Sequence, residues 1–408
     1  MCLRLVAITG LCVLAGCSRS SERSLIIAVN AGVEGSALKS AAQEWGAAKG
    51  VKVEVVELPY ANLFEKEQLD LTSRTGAYDV IMLDDPWFPK LVENGNLAPL
   101  THDPDGDFVG PCLDVCRNPY RTGRYFALPY VGNSQLFFYR KDLFEKYNLA
   151  APSTWHEVLA GARAIGQKEK MFGYVMRAAA GNAVVADFMP LLWAFGGDVL
   201  DASGKPVCDS PAAVEALRFM LQLGKYSPPG YAGFNADEVS AHLLQSTAAM
   251  SINWPAWIAA MDDPAKSKVT GKIEFVPMPG ERAPGVGELG TWLVAIPAVS
   301  KHAADASDFI FWATEAGQMK QAALRGNPPT RRSVFEDAQL LAKFRAFPAQ
   351  LKSLEGARPR PRTAQWNEIE NAFGIYLSKA NAGTTPPDEA LKSAAREIAA
   401  VIARGQGR

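Results

Sequence analysis

Val51, Val53 and Val55 alternate with Lys52 and Glu54, the two-residue period of a strand with one buried face. Residues 25–30 form a second short apolar run. Between the two, Leu38, Ala41, Ala42 and Trp45 recur at helical spacing over residues 35–49, and Gly50 stops the helix. A helix over residues 63–74 with Asn62 as its N-cap, and a strand over 78–83, complete a β-α-β-α-β order. That order predicts a parallel sheet with right-handed crossovers. A second α/β series follows Tyr139. Thr154-Trp155-His156-Glu157 has the spacing of a capping box, ahead of an inner face of Val158, Leu159, Ala162 and Ile165. Ser210 and Pro211 read as the N-cap and first residue of another helix, which Gly224 closes. Residues 231–237 read as an aromatic loop, 239–245 as helix, and 248–253 and 293–296 as strands. Residues 353–404 are mostly helical after the break at Arg358-Pro359-Arg360-Pro361-Arg362.

In open parallel sheets a ligand sits beyond the carboxyl ends of the strands. The first strand is followed by Glu34, and the third runs into Asp84-Asp85-Pro86-Trp87, so two acidic clusters are expected on one edge. Carboxylates at these places also complement helix N-termini. That reading suits one of Asp84 and Asp85, because adjacent residues rarely point the same way. Asn253-Trp254-Pro255-Ala256-Trp257 likewise follows a strand, and Gly290 and Trp292 open another. A carbohydrate presents fixed hydroxyls around a ring with apolar C–H faces. Carboxylates, amides and guanidinium suit the hydroxyls, and indole or phenol rings suit the faces. Glu34, Asp84, Asn133 and Arg360 fit the first role; Tyr130, Trp254, Trp257 and Trp292 fit the second. Trp45, Trp155 and Trp193 read as core.

Composition narrows the picture. With 42 basic and 43 acidic residues the net charge is −1, and no long basic block occurs, which argues against nucleic acid. The first residues give one cation, a short apolar run and Leu14-Ala15-Gly16-Cys17, which resembles a bacterial lipobox. The resemblance implies a signal peptide over 1–16, lipid on Cys17, a Ser-rich tether over 17–23 and a membrane-anchored lipoprotein in the periplasm or at the cell surface. Of six cysteines, Cys112, Cys116 and Cys208 remain; in an oxidising compartment a Cys112–Cys116 disulfide is expected, with Cys208 as a small buried hydrophobe. Four scattered histidines make a metal site a poor alternative, and no cofactor motif is present. Neither a nucleophile elbow nor a zinc-protease motif occurs. The main enzymatic alternative is a lipid-anchored glycoside hydrolase using Glu34 and Asp84 as paired carboxyls.

From about residue 24 onward the chain resembles the family 1 extracellular solute-binding proteins of ABC sugar importers, in particular maltose- and trehalose-type receptors. The resemblance rests on Asp79-Val80-Ile81-Met82-Leu83-Asp84-Asp85-Pro86-Trp87 and on the run from Leu128-Pro129-Tyr130 to Arg140-Lys141-Asp142. It also rests on Leu192-Trp193-Ala194-Phe195-Gly196-Gly197-Asp198, Asn253-Trp254-Pro255-Ala256-Trp257, Pro328-Pro329-Thr330-Arg331-Arg332-Ser333 and Arg358-Pro359-Arg360-Pro361-Arg362, in that order. It implies an α/β, two-lobe periplasmic-binding-protein fold (type II, maltose-binding-like) with a hinge and an interlobe cleft. The first lobe is expected to hold 24–130 plus 297–330, and the second 131–296 plus 331–408. The implied function is capture of a sugar, a disaccharide such as trehalose or maltose, by a monomer that delivers it to membrane permease subunits without catalysis. By the same resemblance Asp84, Glu34, Asn133 in the first crossing strand, Trp254, Trp292 and Arg360 are ligand contacts, with Asn182 and Asp187 as further candidates.

Overall fold

A computed structural model of the protein describes residues 23–406. The expected signal peptide, Cys17 and nearly all of the tether therefore lie outside the described residues. Among those described, no helix is long and apolar enough to cross a membrane.

The predicted β-α-β-α-β unit is present. Strand β1 (Ser24–Asn30) pairs in parallel with β2 (Lys52–Leu58), with Ile26 opposite Glu54, and α1 (Val33–Lys49) connects them. Helix α2 (Tyr60–Ser73) leads to β3 (Val80–Asp84), parallel to β1 with Ile27 opposite Val80. Residues of β3 are buried on both faces, as in a sheet covered by helices, whereas β2 is the edge strand and keeps its alternation. Both helices start earlier than expected. Glu34 thus falls in the first turn of α1, and Pro59 rather than Asn62 precedes α2.

The chain then runs through β4 (Ala127–Val131) directly into β5 (Leu136–Arg140) of a different sheet. Helix α3 (Trp155–Lys168) opens with the predicted capping box of Thr154 and Glu157. Helices α4 (Asn182–Ala194), α5 (Pro211–Gly224, capped by Ser210) and α6 (Ala236–Leu244) follow. Strands β6 (Met250–Asn253) and β7 (Ile273–Val276) flank β5 antiparallel, with Phe137 opposite both Ile252 and Val276. The chain returns to the first sheet as β8 (Trp292–Ala295), antiparallel to β3 with Trp292 opposite Asp84. The first sheet has the order β2-β1-β3-β8-β4 and the second β6-β5-β7. Helix α7 (Phe347–Glu355) precedes α8 (Trp366–Asn381) and α9 (Pro387–Gln406), which pack against α4 and α5.

Two large hydrophobic cores result. Trp45, Ile27, Leu83, Phe88 and Leu293 belong to the first; Phe137, Trp155, Phe188, Trp193, Trp366 and Phe373 belong to the second. The expected lobe boundaries need correction. Residues 292–296, assigned by sequence to the second lobe, extend the first sheet, because β8 fills the gap between β3 and β4. Residues 331–357 also pack on the first lobe, through Val334, Phe335 and Leu354. The expected Cys112–Cys116 disulfide is absent: both are free, buried thiols, and neither sulfur bonds to the other. Cys116 donates to the Cys112 carbonyl at 3.4 Å, and the Cys112 sulfur accepts from the Thr291 hydroxyl at 3.3 Å.

Three chain segments pass between the lobes side by side. Gly290 N–H donates to Asn133 O, Gln135 N–H to Glu288 O and Leu289 N–H to Arg358 O, so the crossings form a short ladder. The first is pressed against a loop: Gly132 N–H donates to Pro328 O at 2.8 Å, and a Cβ at Gly132 would stand 2.0 Å from Pro329 O. Gly132→Ala is expected to destabilise the protein by about 1–3 kcal/mol, since backbone must move to admit one methyl. A urea midpoint unchanged from wild type would refute this contact.

Candidate functional site

Sheet topology brings the ends of β1, β2 and β3 to one edge, where Asn30, Tyr60 and Asp84 stand in line. Across from them, β6 ends in Asn253-Trp254, and α6 presents its first turn. The space between is a cleft of about 500 Å³. Of the residues singled out from sequence, Glu34, Asp84, Asn133, Asn182, Trp254, Trp257, Gly290, Trp292 and Arg360 all line it.

Three do not. Asp85 is wholly buried beneath the cleft, where its carboxylate accepts from Arg362 Nη1 at 2.7 Å and from Arg360 Nη2 at 3.3 Å. The strand ends at Asp84 and Asp85 opens a 3-10 turn, where the chain bends away, so only Asp84 reaches the cleft. Tyr130 is also wholly buried, in the first core, because both faces of β4 are covered. Asp187 lies in α4 and acts on the cleft indirectly. It accepts from Arg177 N–H at 2.8 Å and from Arg177 Nε at 2.6 Å, and Arg177 lines the cleft. Asn133 sits between β4 and β5 rather than in a strand.

Asn30, Tyr60, Arg177, Asn235 and Asp237 line the cleft and escaped the sequence reading. Asn30 ends β1 and Tyr60 lies two residues past β2, so the rule that found Asp84 also points to them. Arg177 carries no local signal, because a carboxylate ten residues further on fixes its position.

The first lobe offers an aromatic wall. The Trp292 ring meets Trp87 edge-on at 5.9 Å and Tyr60 at 5.9 Å, and the Tyr60 hydroxyl donates to Asp84 Oδ2 at 2.9 Å. On the other side, the Trp254 ring rests on bare backbone at Gly290, where a Cβ would stand 2.7 Å from it. The Arg177 guanidinium lies over that indole at 5.2 Å. Both tryptophan rings are therefore fixed before any ligand arrives.

Beneath the floor, the Arg360 guanidinium faces four carboxylates: Asp84 and Asp85 at 3.3 Å, Glu288 at 3.6 Å and Glu370 at 3.7 Å. Asn182 Nδ2 donates to Glu370 at 3.1 Å. One cation cannot hold so many buried anions. Burial pushes Glu288 up to about 8 and Asp85 up to about 6, and it raises Glu370, in each case against the opposing pull of Arg360. Both Glu288 oxygens lack a hydrogen-bond partner within the 3.5 Å limit of such a bond.

Comparison with known proteins shows the family and the fold. The sequence profile of the family described as bacterial extracellular solute-binding protein matches residues 31–320. A probable amino-acid ABC transporter periplasmic-binding protein of Sinorhizobium fredii is 28% identical over 354 residues, covering 84% of this chain and 79% of the relative. A solute-binding protein of Agrobacterium radiobacter in complex with ribitol superposes with a TM-score of 0.85 at 28% identity, covering 92% of this chain and 98% of that one. A maltose-bound protein of T. maritima gives a TM-score of 0.86 at 29% identity, again covering 92% and 98%.

The Glu288 carboxyl yields a test by pH. Its folded pKa lies above the ordinary 4.5, so the unfolded chain sheds this proton first, and wild-type stability falls as pH rises from there through about 8. Glu288→Gln lacks that slope. Thermal melts should show the variant near wild type at pH 5 and more stable by about 2 kcal/mol or more at pH 9; equal stability at pH 9 refutes the raised pKa.

Proposed function

We propose, proceeding from the fact that this chain belongs to the family of bacterial extracellular solute-binding proteins, that its cleft captures a disaccharide of the trehalose or maltose kind for import. The coarser function follows from family and fold. The protein is a sugar- or polyol-binding component of an ABC transporter, works outside the cytoplasmic membrane and has membrane permease subunits as partners.

The observation that carries the disaccharide is the pairing of aromatic walls. Trp254 and Trp257 from one lobe and Trp292 and Tyr60 from the other face a cleft of about 500 Å³. Indole faces suit the flat C–H faces of pyranose rings better than the flexible chain of an open polyol. Glu34, Asp84, Asn133, Asn182 and Arg360 then serve as hydroxyl partners. Because the lining residues come from both lobes, closure about the three crossings completes the site, and the closed form docks on the permease. The first lobe comprises 24–131 and 289–357, and the remainder forms the second. The protein is a monomer held to the membrane by lipid on Cys17. Asp84, already bound by Tyr60 and Arg360, holds hydroxyls rather than serving as a hydrolytic acid or nucleophile.

A second reading, an acyclic polyol, is favoured by the likeness to the ribitol complex. An amino acid, suggested by the name of the Sinorhizobium relative, fits less well. An α-carboxylate needs a cation, and Arg177 and Arg360 are already paired with carboxylates.

A thermal-shift screen of the chain from Ser18 onward against mono-, di- and oligosaccharides, polyols and amino acids tests these readings, since a ligand of the folded state raises Tm. A clear shift with a disaccharide that survives overnight incubation intact is the expected result. Shifts with polyols alone support the second reading. Shifts with amino acids alone, or breakdown of the sugar, overturn the first. Trp254→Ala and Asp84→Asn should each weaken binding by about 2 kcal/mol, roughly thirtyfold in Kd. Wild-type affinity in both would remove the site assignment.

A further inference from the structure

The charges lining the cleft do not balance. They are Glu34, Asp84, Asp237, Arg177 and Arg360. Both guanidiniums are already engaged: Arg177 Nε by Asp187 at 2.6 Å, and Arg360 by the four carboxylates beneath the floor. Of the three acids, Asp84 shares Arg360. Glu34 and Asp237 have no cationic partner among the described residues. The Glu34 side chain accepts from Asn30 Nδ2 at 3.4 Å.

These two carboxylates come from opposite lobes, Glu34 from the first turn of α1 and Asp237 from the first turn of α6. Each helix N-terminus offsets about half a charge, which leaves both turns net negative. They already sense one another: burial pushes Glu34 up to about 7, and the charges of Asp84 and Asp237 add to the shift. Closure brings like charges together in drier surroundings, where their repulsion grows. A sugar hydroxyl can donate to such a carboxylate but does not cancel its charge. An ammonium group does both. An anionic ligand would meet the same two charges and, among the described lining residues, no cation free of a carboxylate partner.

Building on the sugar-binding reading, we propose that the cleft selects a sugar or polyol bearing a primary amine, with its ammonium held between Glu34 of one lobe and Asp237 of the other. The aromatic walls cover the carbon skeleton, and the two free carboxylates set the preference for charge.

Calorimetric titration at pH 8 and low salt with matched pairs tests this: glucose and glucosamine, trehalose and its amino analogue, glucitol and 1-amino-1-deoxyglucitol. In at least one pair the amine should bind tenfold or more tightly than its neutral partner, and N-acetylation should abolish the preference. Asp237→Asn, at an exposed position, should reduce the preference several-fold while leaving Tm without ligand near wild type, and Glu34→Gln should reduce it likewise. Neutral partners binding as tightly as the amines would overturn this proposal and leave the sugar reading standing. A preference unchanged in both variants would overturn the assignment to these carboxylates. Absence of binding by either member of any pair, together with silence of the broader sugar and polyol screen, would overturn both readings.

Discussion

Arg360 is buried with its guanidinium facing four carboxylates drawn from separate parts of the chain: Asp84 and Asp85 at the end of β3, Glu288 on a crossing segment and Glu370 on α8. A buried cation without partners costs several kcal/mol, as do buried anions without a cation, so both lobes and the hinge are bound to one arrangement around this group. The flanking arginines extend the anchorage. Arg362 pairs with Asp85, and Arg358 pairs with Asp198 while lying over the Trp193 ring. Pro359 and Pro361 restrict the segment and add no N–H that would need a partner, while Arg358 reaches Asp198 and Arg360 and Arg362 share Asp85.

Above that charged floor the cleft is built for orientation as much as for contact. The Trp254 ring depends on the missing side chain at Gly290 and on the Arg177 guanidinium, which Asp187 fixes from α4. Trp292 is braced by Trp87 and Tyr60. Rings held in this way lose little freedom when a ligand stacks on them, so more of the contact energy appears as affinity. Acidic groups outnumber cations along the cleft, and the raised pKa values of Glu34, Glu288 and Glu370 come first from burial and then from the neighbouring negative charges.

The functional conclusion follows from placement more than from composition. Carboxylates, amides and indoles occur on many proteins. Here they converge from two lobes on one cleft, beside three crossing segments joined by backbone hydrogen bonds. That arrangement suits seizure and release of a small solute, the task shared by the family to which the chain belongs.

Much of this was legible in the sequence because it depends on local periodicity. The alternation of Val51, Val53 and Val55, the helical face of Leu38, Ala42 and Trp45, and the caps at Thr154 and Ser210 each report a structure fixed by neighbouring residues. The strand-end rule likewise pointed to Asp84 and Trp254, and both line the cleft. Where local pattern is silent, tertiary structure decided. It turned Asp85 and Tyr130 inward, drew residues 331–357 onto the first lobe, and left Cys112 and Cys116 as separate thiols. It also put Arg177 in the cleft through Asp187, and brought Glu34 and Asp237 to the lining of the same cleft. Hydrophobic period and capping chemistry act over a few residues, and the sequence alone determined the elements they build. Partnership between charges on different elements, such as Arg360 with Asp84 and Asp85 or Arg177 with Asp187, exists only once the elements have packed and excluded water, and that is why these pairings belonged to the fold.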